Sequence, residues 1–167
     1  KARFCTFDPG QDLHKYSAGQ LESILSRVAI LFANQHEVEG MCRTLGLTKE
    51  ALSARVPIAV FTAGEAGSDL FMGRDHVHIP AVRVKMADPT GAGDAYRAGF
   101  LAAYDRGYAV PDCCRIGSVT ASFAVEVPGC QTNLPTWEMV RDRYAAHFGP
   151  FPEPSARDSV QAGRDRE

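Results

Sequence analysis

The feature that most constrains this chain is an apolar run that stops on a helix cap. Val28 to Ala33 (Val-Ala-Ile-Leu-Phe-Ala) is its longest wholly apolar stretch. Asn34 follows at once and Glu37 stands three residues later, the spacing of a capping box with Asn as the cap. The pattern predicts a strand over 29–33 that passes directly into a helix, with Gly46 placed to close it. Thr48 then caps a short helix to about Arg55. After Pro57, Ile58 to Thr62 repeats the buried-strand pattern. Upstream, Ala2 to Phe7 reads as a short strand ended by Asp8-Pro9-Gly10, and Ala18 to Arg27 as a helix carrying Leu21, Ile24, Leu25 and Val28 on one face. Strand–helix alternation through residue 62 predicts the α/β class, a parallel sheet with helices on its faces.

Beyond Thr62 the pattern changes. Residues 63–67 form a tight turn. Ser68 to Met72 and His76 to Val84 read as antiparallel strands around Gly73-Arg74-Asp75. A loop over 88–94 leads into a helix to about Arg106. Pro111 to Val127 is a further helix, ended by Pro128-Gly129. Thr136 caps the last helix, which runs to Phe148. From Gly149, three prolines and a charged stretch replace the apolar periodicity, and Gly149 to Glu167 reads as a mobile, disordered tail.

Composition excludes several classes. The chain has 167 residues, with 18 basic against 20 acidic side chains and a net charge of −2. It therefore lacks the basic surplus of a nucleic-acid-binding protein. The run over 28–33 is far short of the roughly 18 residues of a membrane helix, so no membrane partner is expected. Five cysteines, an odd number with no C-x-x-C, predict reduced and mostly buried thiols. His76 and His78 share one face of a strand but are too few for a metal site. The chain opens on Lys1 rather than Met, without a leader. It reads as a fragment.

The strongest chemical signal is Asp88-Pro-Thr-Gly-Ala-Gly-Asp94-Ala-Tyr-Arg-Ala-Gly99-Phe. Two glycines flank Ala92 where a loop enters a helix. First-turn amides have no carbonyl partner inside the helix, and with the helix dipole they form an anion site. Glycine lets a phosphate approach the backbone. Asp94 sits in that first turn, where a carboxylate can take a proton from a hydroxyl attacking a phosphoryl group. Arg97, one turn further on, fits either a phosphate contact or an ion pair with an acid. The string G-x-x-x-x-G-K-[ST] is absent, and Tyr96 fills the third glycine position of G-x-G-x-x-G.

This stretch resembles the second signature of the ribokinase/PfkB sugar and nucleoside kinases. Three further matches follow in that family's order. Asn34-Gln35-His36-Glu37 resembles its N-x-x-E motif. Thr62-Ala-Gly64-Glu-Ala-Gly67 resembles its T-x-G-x-x-G turn. Phe7-Asp8-Pro9-Gly10-Gln11 resembles a segment of bacterial carbohydrate and adenosine kinases.

The resemblance implies a ribokinase-like α/β fold: a mostly parallel sheet flanked by helices, with a β-hairpin near the nucleotide site. Residues 1–148 would be its C-terminal, ATP-side part, with the N-terminal half and lid absent. It implies Asp94 as catalytic base and Gly91, Ala92 and Gly93 as the anion hole. Thr62, Gly64 and Gly67 would bind ATP. Asn34 and Glu37 would organise Mg2+ through water. Asp88 and Thr90 would belong to a monovalent-cation (K+) site, with Val127 to Asn133 as the far wall of that site and of the adenine pocket. The implied activity is transfer of the γ-phosphoryl of ATP to a primary hydroxyl of an adenosine-like nucleoside. A ribose- or fructose-type sugar kinase and a non-catalytic nucleotide-binding fragment are the alternatives. A cytoplasmic enzyme with a small-molecule substrate, a homodimer when intact, completes the expectation. The fragment alone would be inactive.

Overall fold

The computed structural model describes residues 4–155. The strands are β1 (Thr6–Phe7), β2 (Ile30–Asn34), β3 (Ile58–Thr62), β4 (Ser68–Met72) and β5 (Asp75–Ile79). The helices are α1 (Ala18–Leu25), α2 (Gln35–Leu45), α3 (Lys49–Ser53), α4 (Ala92–Asp105), α5 (Val110–Ala124) and α6 (Trp137–Phe148). The five strands form one sheet in the order β1-β2-β3-β4-β5. β1, β2 and β3 are parallel, and β4 runs antiparallel to β3. The fold is thus α/β, with a mostly parallel sheet and a hairpin at one edge.

The chain divides into two compact units. One runs to Gly64 and adds Ser68–His78; the other holds Glu65–Gly67 and continues from Ile79.

In the first unit the sequence signals become geometry. β2 ends on Asn34, and α2 begins at Gln35 with no loop between. Gly46 closes α2 in the left-handed region, φ 66°, where glycine alone is unstrained. Leu31 and Ala33 of β2 and Ala59 and Phe61 of β3 pack on Leu21, Leu25, Val38, Met41 and Leu52 of the helices. The alternate residues Ile30, Phe32, Ile58 and Val60 are no more than 4% exposed. Burial on both faces is why these strands read as unbroken apolar runs.

In the second unit α4 and α5 pack closely through small residues. A Cβ on Gly99 would lie 2.3 Å from Thr120 Oγ1, and one on Gly117 would lie 2.8 Å from the Tyr96 carbonyl oxygen. The Tyr144 hydroxyl of α6 donates to Asp112 of α5 at 2.9 Å. Arg143 donates to Ser122 at 2.9 Å and to Glu126 at 3.0 Å, its guanidinium 3.4 Å from the Phe123 ring centroid.

Two expectations need correction. The strand expected to reach Val84 ends at Ile79. Pro80 has no N–H to offer a ladder, and Ser118 holds the segment beyond it, accepting from the Val82 amide at 3.1 Å and donating to the Pro80 carbonyl at 3.3 Å. The expected tail is also too long. Phe151 packs within 6 Å, centroid to centroid, of Tyr108, Trp137 and Tyr144, and Ser155 donates to the Gly107 carbonyl. The remainder of that expected tail, 156–167, and the start of the first expected strand, 2–3, lie outside the described residues.

Candidate active site

Parallel strands deliver loops to their C-terminal ends, where α/β sheets bind ligands. β2 and β3 are in register with Asn34 opposite Thr62, so two of the residues singled out from the sequence stand side by side at that edge. Asn34 and Glu37 form the reciprocal cap their spacing implies. The Glu37 amide donates to Asn34 Oδ1 at 3.0 Å, and the Asn34 amide donates to Glu37 Oε2 at 2.7 Å. Both side chains thereby have a structural role in starting α2. Gly64 follows in a 3-10 turn with φ 55°. Gly67 has φ 95°, and a Cβ there would lie 2.2 Å from the Ile79 carbonyl oxygen. No other residue fits that turn.

In the second unit the 88–94 loop is pinned from several sides. The Ala87 and Asp88 amides both donate to the Val125 carbonyl, at 2.7 and 3.2 Å. Asp88 accepts from the Thr90 amide on one carboxylate oxygen, at 2.9 Å, and from the Gly129 amide on the other, at 3.0 Å. Hydrogen bonding from the Thr90 side chain, then from the Gly129 and Thr90 amides, holds its carboxyl down to about 2. Gly91 is the N-cap of α4 with φ 81°, and it offers no capping side chain. Its missing Cβ leaves room for Cys130, whose Cβ would otherwise be 2.5 Å away. The Gly93 and Asp94 amides, in the first turn of α4, have no carbonyl to reach within the helix. The Asp94 side chain is 75% exposed and accepts from Arg97. The ion pair, one of the two roles open to Arg97 from sequence, is present.

The roles of Gly129 and Cys130 were not legible individually. The only signal was a loose likeness over 127–133. There Asn133 donates to the Phe123 carbonyl at 2.8 Å, which ties the segment to the end of α5. A second cluster carried no sequence signal beyond the His76/His78 spacing. Asp69 accepts from Lys49 at 2.6 Å and contacts His76 and His78 at 3.1 and 3.0 Å. Burial raises the Asp69 carboxyl, but bonding from Lys49, His78 and His76 outweighs it and holds the group well below the usual carboxylate range. Among the described residues, no group of three or more His, Cys, Asp or Glu could hold a metal ion. Asn34 and Glu37 are engaged in the cap, and both Asp88 oxygens accept from amides, so the described residues supply no ready-made direct ligand set. No described helix is long and apolar enough to cross a membrane. All five thiols are free, but against expectation only Cys113 and Cys114 are buried, Cys42 being half-buried and Cys5 and Cys130 exposed; burial raises Cys114 to about 12 and raises Cys113 as well.

This architecture is ribokinase-like. A nucleoside kinase of Methanocaldococcus jannaschii, solved as an archaeal member of the ribokinase family, superposes with a TM-score of 0.81 at 45% identity, covering 85% of this chain and 48% of that one. A Burkholderia thailandensis nucleoside kinase in complex with ADP-inosine gives a TM-score of 0.87 at 29% identity, over 93% of this chain and 49% of that one. A sequence profile of the pfkB family carbohydrate kinases matches residues 1–137, and the chain belongs to that family. A Methanothermobacter thermautotrophicus nucleoside kinase is 44% identical over 149 residues, 88% of this chain and 48% of the relative. The chain spans about half the length of the curated relatives it matches.

Proposed function

We propose that the protein is an ATP-dependent kinase of a nucleoside primary hydroxyl, and that this chain supplies its phosphate-side machinery. The observation that carries the reading is the uncapped start of α4, where Gly91, Ala92 and Gly93 lead into Asp94 on a doubly pinned loop. Gly91, Ala92 and Gly93 line the anion hole: the Gly93 amide and the helix dipole favour the negative charge of a transferring phosphoryl group, while the Ala92 amide donates to the Pro89 carbonyl at 3.2 Å. Asp94 is the base. In the step, the substrate O–H bond breaks and its proton passes to Asp94. The freed oxygen bonds to the γ-phosphorus. The bond from that phosphorus to the bridging oxygen breaks, and its electron pair leaves on ADP.

Thr62, Gly64 and Gly67 take the nucleotide, supported by the place of Thr62 at the sheet edge and the open turn that the glycines permit. Mg2+, when bound, neutralises phosphate charge. With no direct ligand set among the described residues, Asn34 and Glu37 would reach it through water. Asp88 and Thr90 border the K+ position, with Asp88 already holding the loop. A nucleoside is favoured over a sugar because the relatives at 44–46% identity are nucleoside kinases, whereas a Thermotoga maritima ribokinase is 25% identical. The exposed Asp94 argues against a pure nucleotide binder, which has no use for a base.

The test is ADP release by the full-length product of the gene, with ATP and either inosine, adenosine or cytidine, against ribose and fructose. Nucleoside-dependent ADP release that falls about 10²–10⁴-fold in Asp94→Asn is expected for a general base. Near-normal turnover of that variant removes Asp94 from the role. Release with ribose but no nucleoside moves the protein to the sugar kinases.

A further inference from the structure

We propose that Arg97 is a positioning residue that aims Asp94, a role that rests on Asp94 being the base. Side chains on a helix lean toward its N-terminus, and residues three apart share a face. Arg97 therefore reaches back along α4 to the first turn, where a terminal guanidinium nitrogen donates to Asp94 Oδ1. The pair is lopsided. The arginine side chain is 29% exposed and the aspartate 75%, whereas the surface pair Lys15–Asp12 is 64% and 63% exposed. Arg97 is thus the anchored member and the carboxylate the projecting one. With Oδ1 held, and with no hydrogen bond to Oδ2 among the described residues, Oδ2 is the oxygen left to accept the substrate proton.

The charges follow the same order. Arginine stays protonated throughout. Before transfer the two side chains form a neutral pair. When Oδ2 takes the proton from the hydroxyl, Asp94 becomes neutral and no longer offsets the Arg97 charge near the start of α4. That charge then faces the negative phosphoryl group held by the neighbouring amides. Arg97 thus acts through Asp94 before transfer, and by its field during it.

The experiment uses the full-length gene product with Asp94→Asn, Arg97→Gln, Arg97→Lys and the double variant Asp94→Asn/Arg97→Gln. Thermal midpoints are measured alongside, so that only folded variants are compared. For Arg97→Gln, kcat is expected to fall about 100-fold, within the range for a misdirected general base, while KM for ATP moves less than about threefold. Arg97→Lys should recover part of that loss, because it restores the charge but not the fork. The double variant should be no slower than Asp94→Asn alone, the mark of two residues working through one step. A raised KM for ATP with kcat retained would make Arg97 a ground-state phosphate contact and overturn the proposal. Additive losses in the double variant overturn it too. Normal kinetics in Arg97→Gln beside a dead Asp94→Asn would defeat the positioning role alone. An active Asp94→Asn defeats both readings.

Discussion

Gly91 carries two constraints at one residue. Its φ of 81° lies in the left-handed region, and a Cβ would collide with Cys130 Cβ and Cα at 2.5 and 2.9 Å. Gly91→Ala is expected to cost at least about 1–3 kcal/mol from backbone strain, seen as a lowered thermal midpoint. Cys130→Ala should not rescue it, because alanine keeps both colliding atoms; a restored midpoint in that double variant would show the contact to be soft. Asp88 makes a pH-dependent contribution at the same loop. Its carboxyl ionises near 2 rather than at an ordinary 3.8. Its stabilising effect is therefore full above about pH 4 and is lost as pH falls through about 2. An acid titration of stability should lose slope in that window in Asp88→Asn, and an unchanged slope would assign the acid transition to other groups. The glycines and aspartates of this loop were visible in sequence, because their spacing fixes a loop entering a helix. The partners Gly129 and Cys130 were not, since they arrive from the far end of α5.

Helix caps are the most legible elements. Asn34 and Glu37 close the cap that their spacing implies, and Thr48 and Thr136 cap α3 and α6 as expected. Asn34→Ala is expected to cost about 1 kcal/mol by loss of the cap alone. A fall in activity far beyond what that loss of stability explains would support a functional role beside the structural one. Close helix packing was less legible. Gly99 reads as part of a motif, yet in the fold it is the contact that lets α4 meet α5. Gly99→Ala meets Thr120 and the Ile116 carbonyl at 3.1 Å, and overpacking of this kind costs typically 1–3 kcal/mol. Proline-rich composition misled at the C-terminal side, because one aromatic outweighs several prolines when three rings await it. Phe151→Ala is expected to lower the midpoint through loss of the Tyr108, Trp137 and Tyr144 contacts. An unchanged midpoint would mean that the 149–155 segment adds nothing to α6.

At the scale of the whole molecule, the parallel order of β1 to β3 follows from strand–helix alternation, and the antiparallel edge follows from the turn at Gly73. What composition could not convey is completeness. An apolar content of 45% in 167 residues is compatible with a self-contained core, but the relatives are about twice as long. The sheet starts on a strand of only two residues, Thr6–Phe7, paired on one side with β2, and an edge of that kind leaves backbone donors and acceptors to be matched. A kinase site also needs an acceptor pocket, and the roles proposed for the motifs in this chain concern phosphate and nucleotide. The chain produced alone is therefore expected to associate in size-exclusion chromatography. It should release no nucleoside-dependent ADP under conditions where the Methanocaldococcus jannaschii nucleoside kinase turns over. A monomeric chain that phosphorylates inosine would show that this unit carries its own acceptor site. The loop at Gly91 would then have to be read together with acceptor contacts from within these same residues.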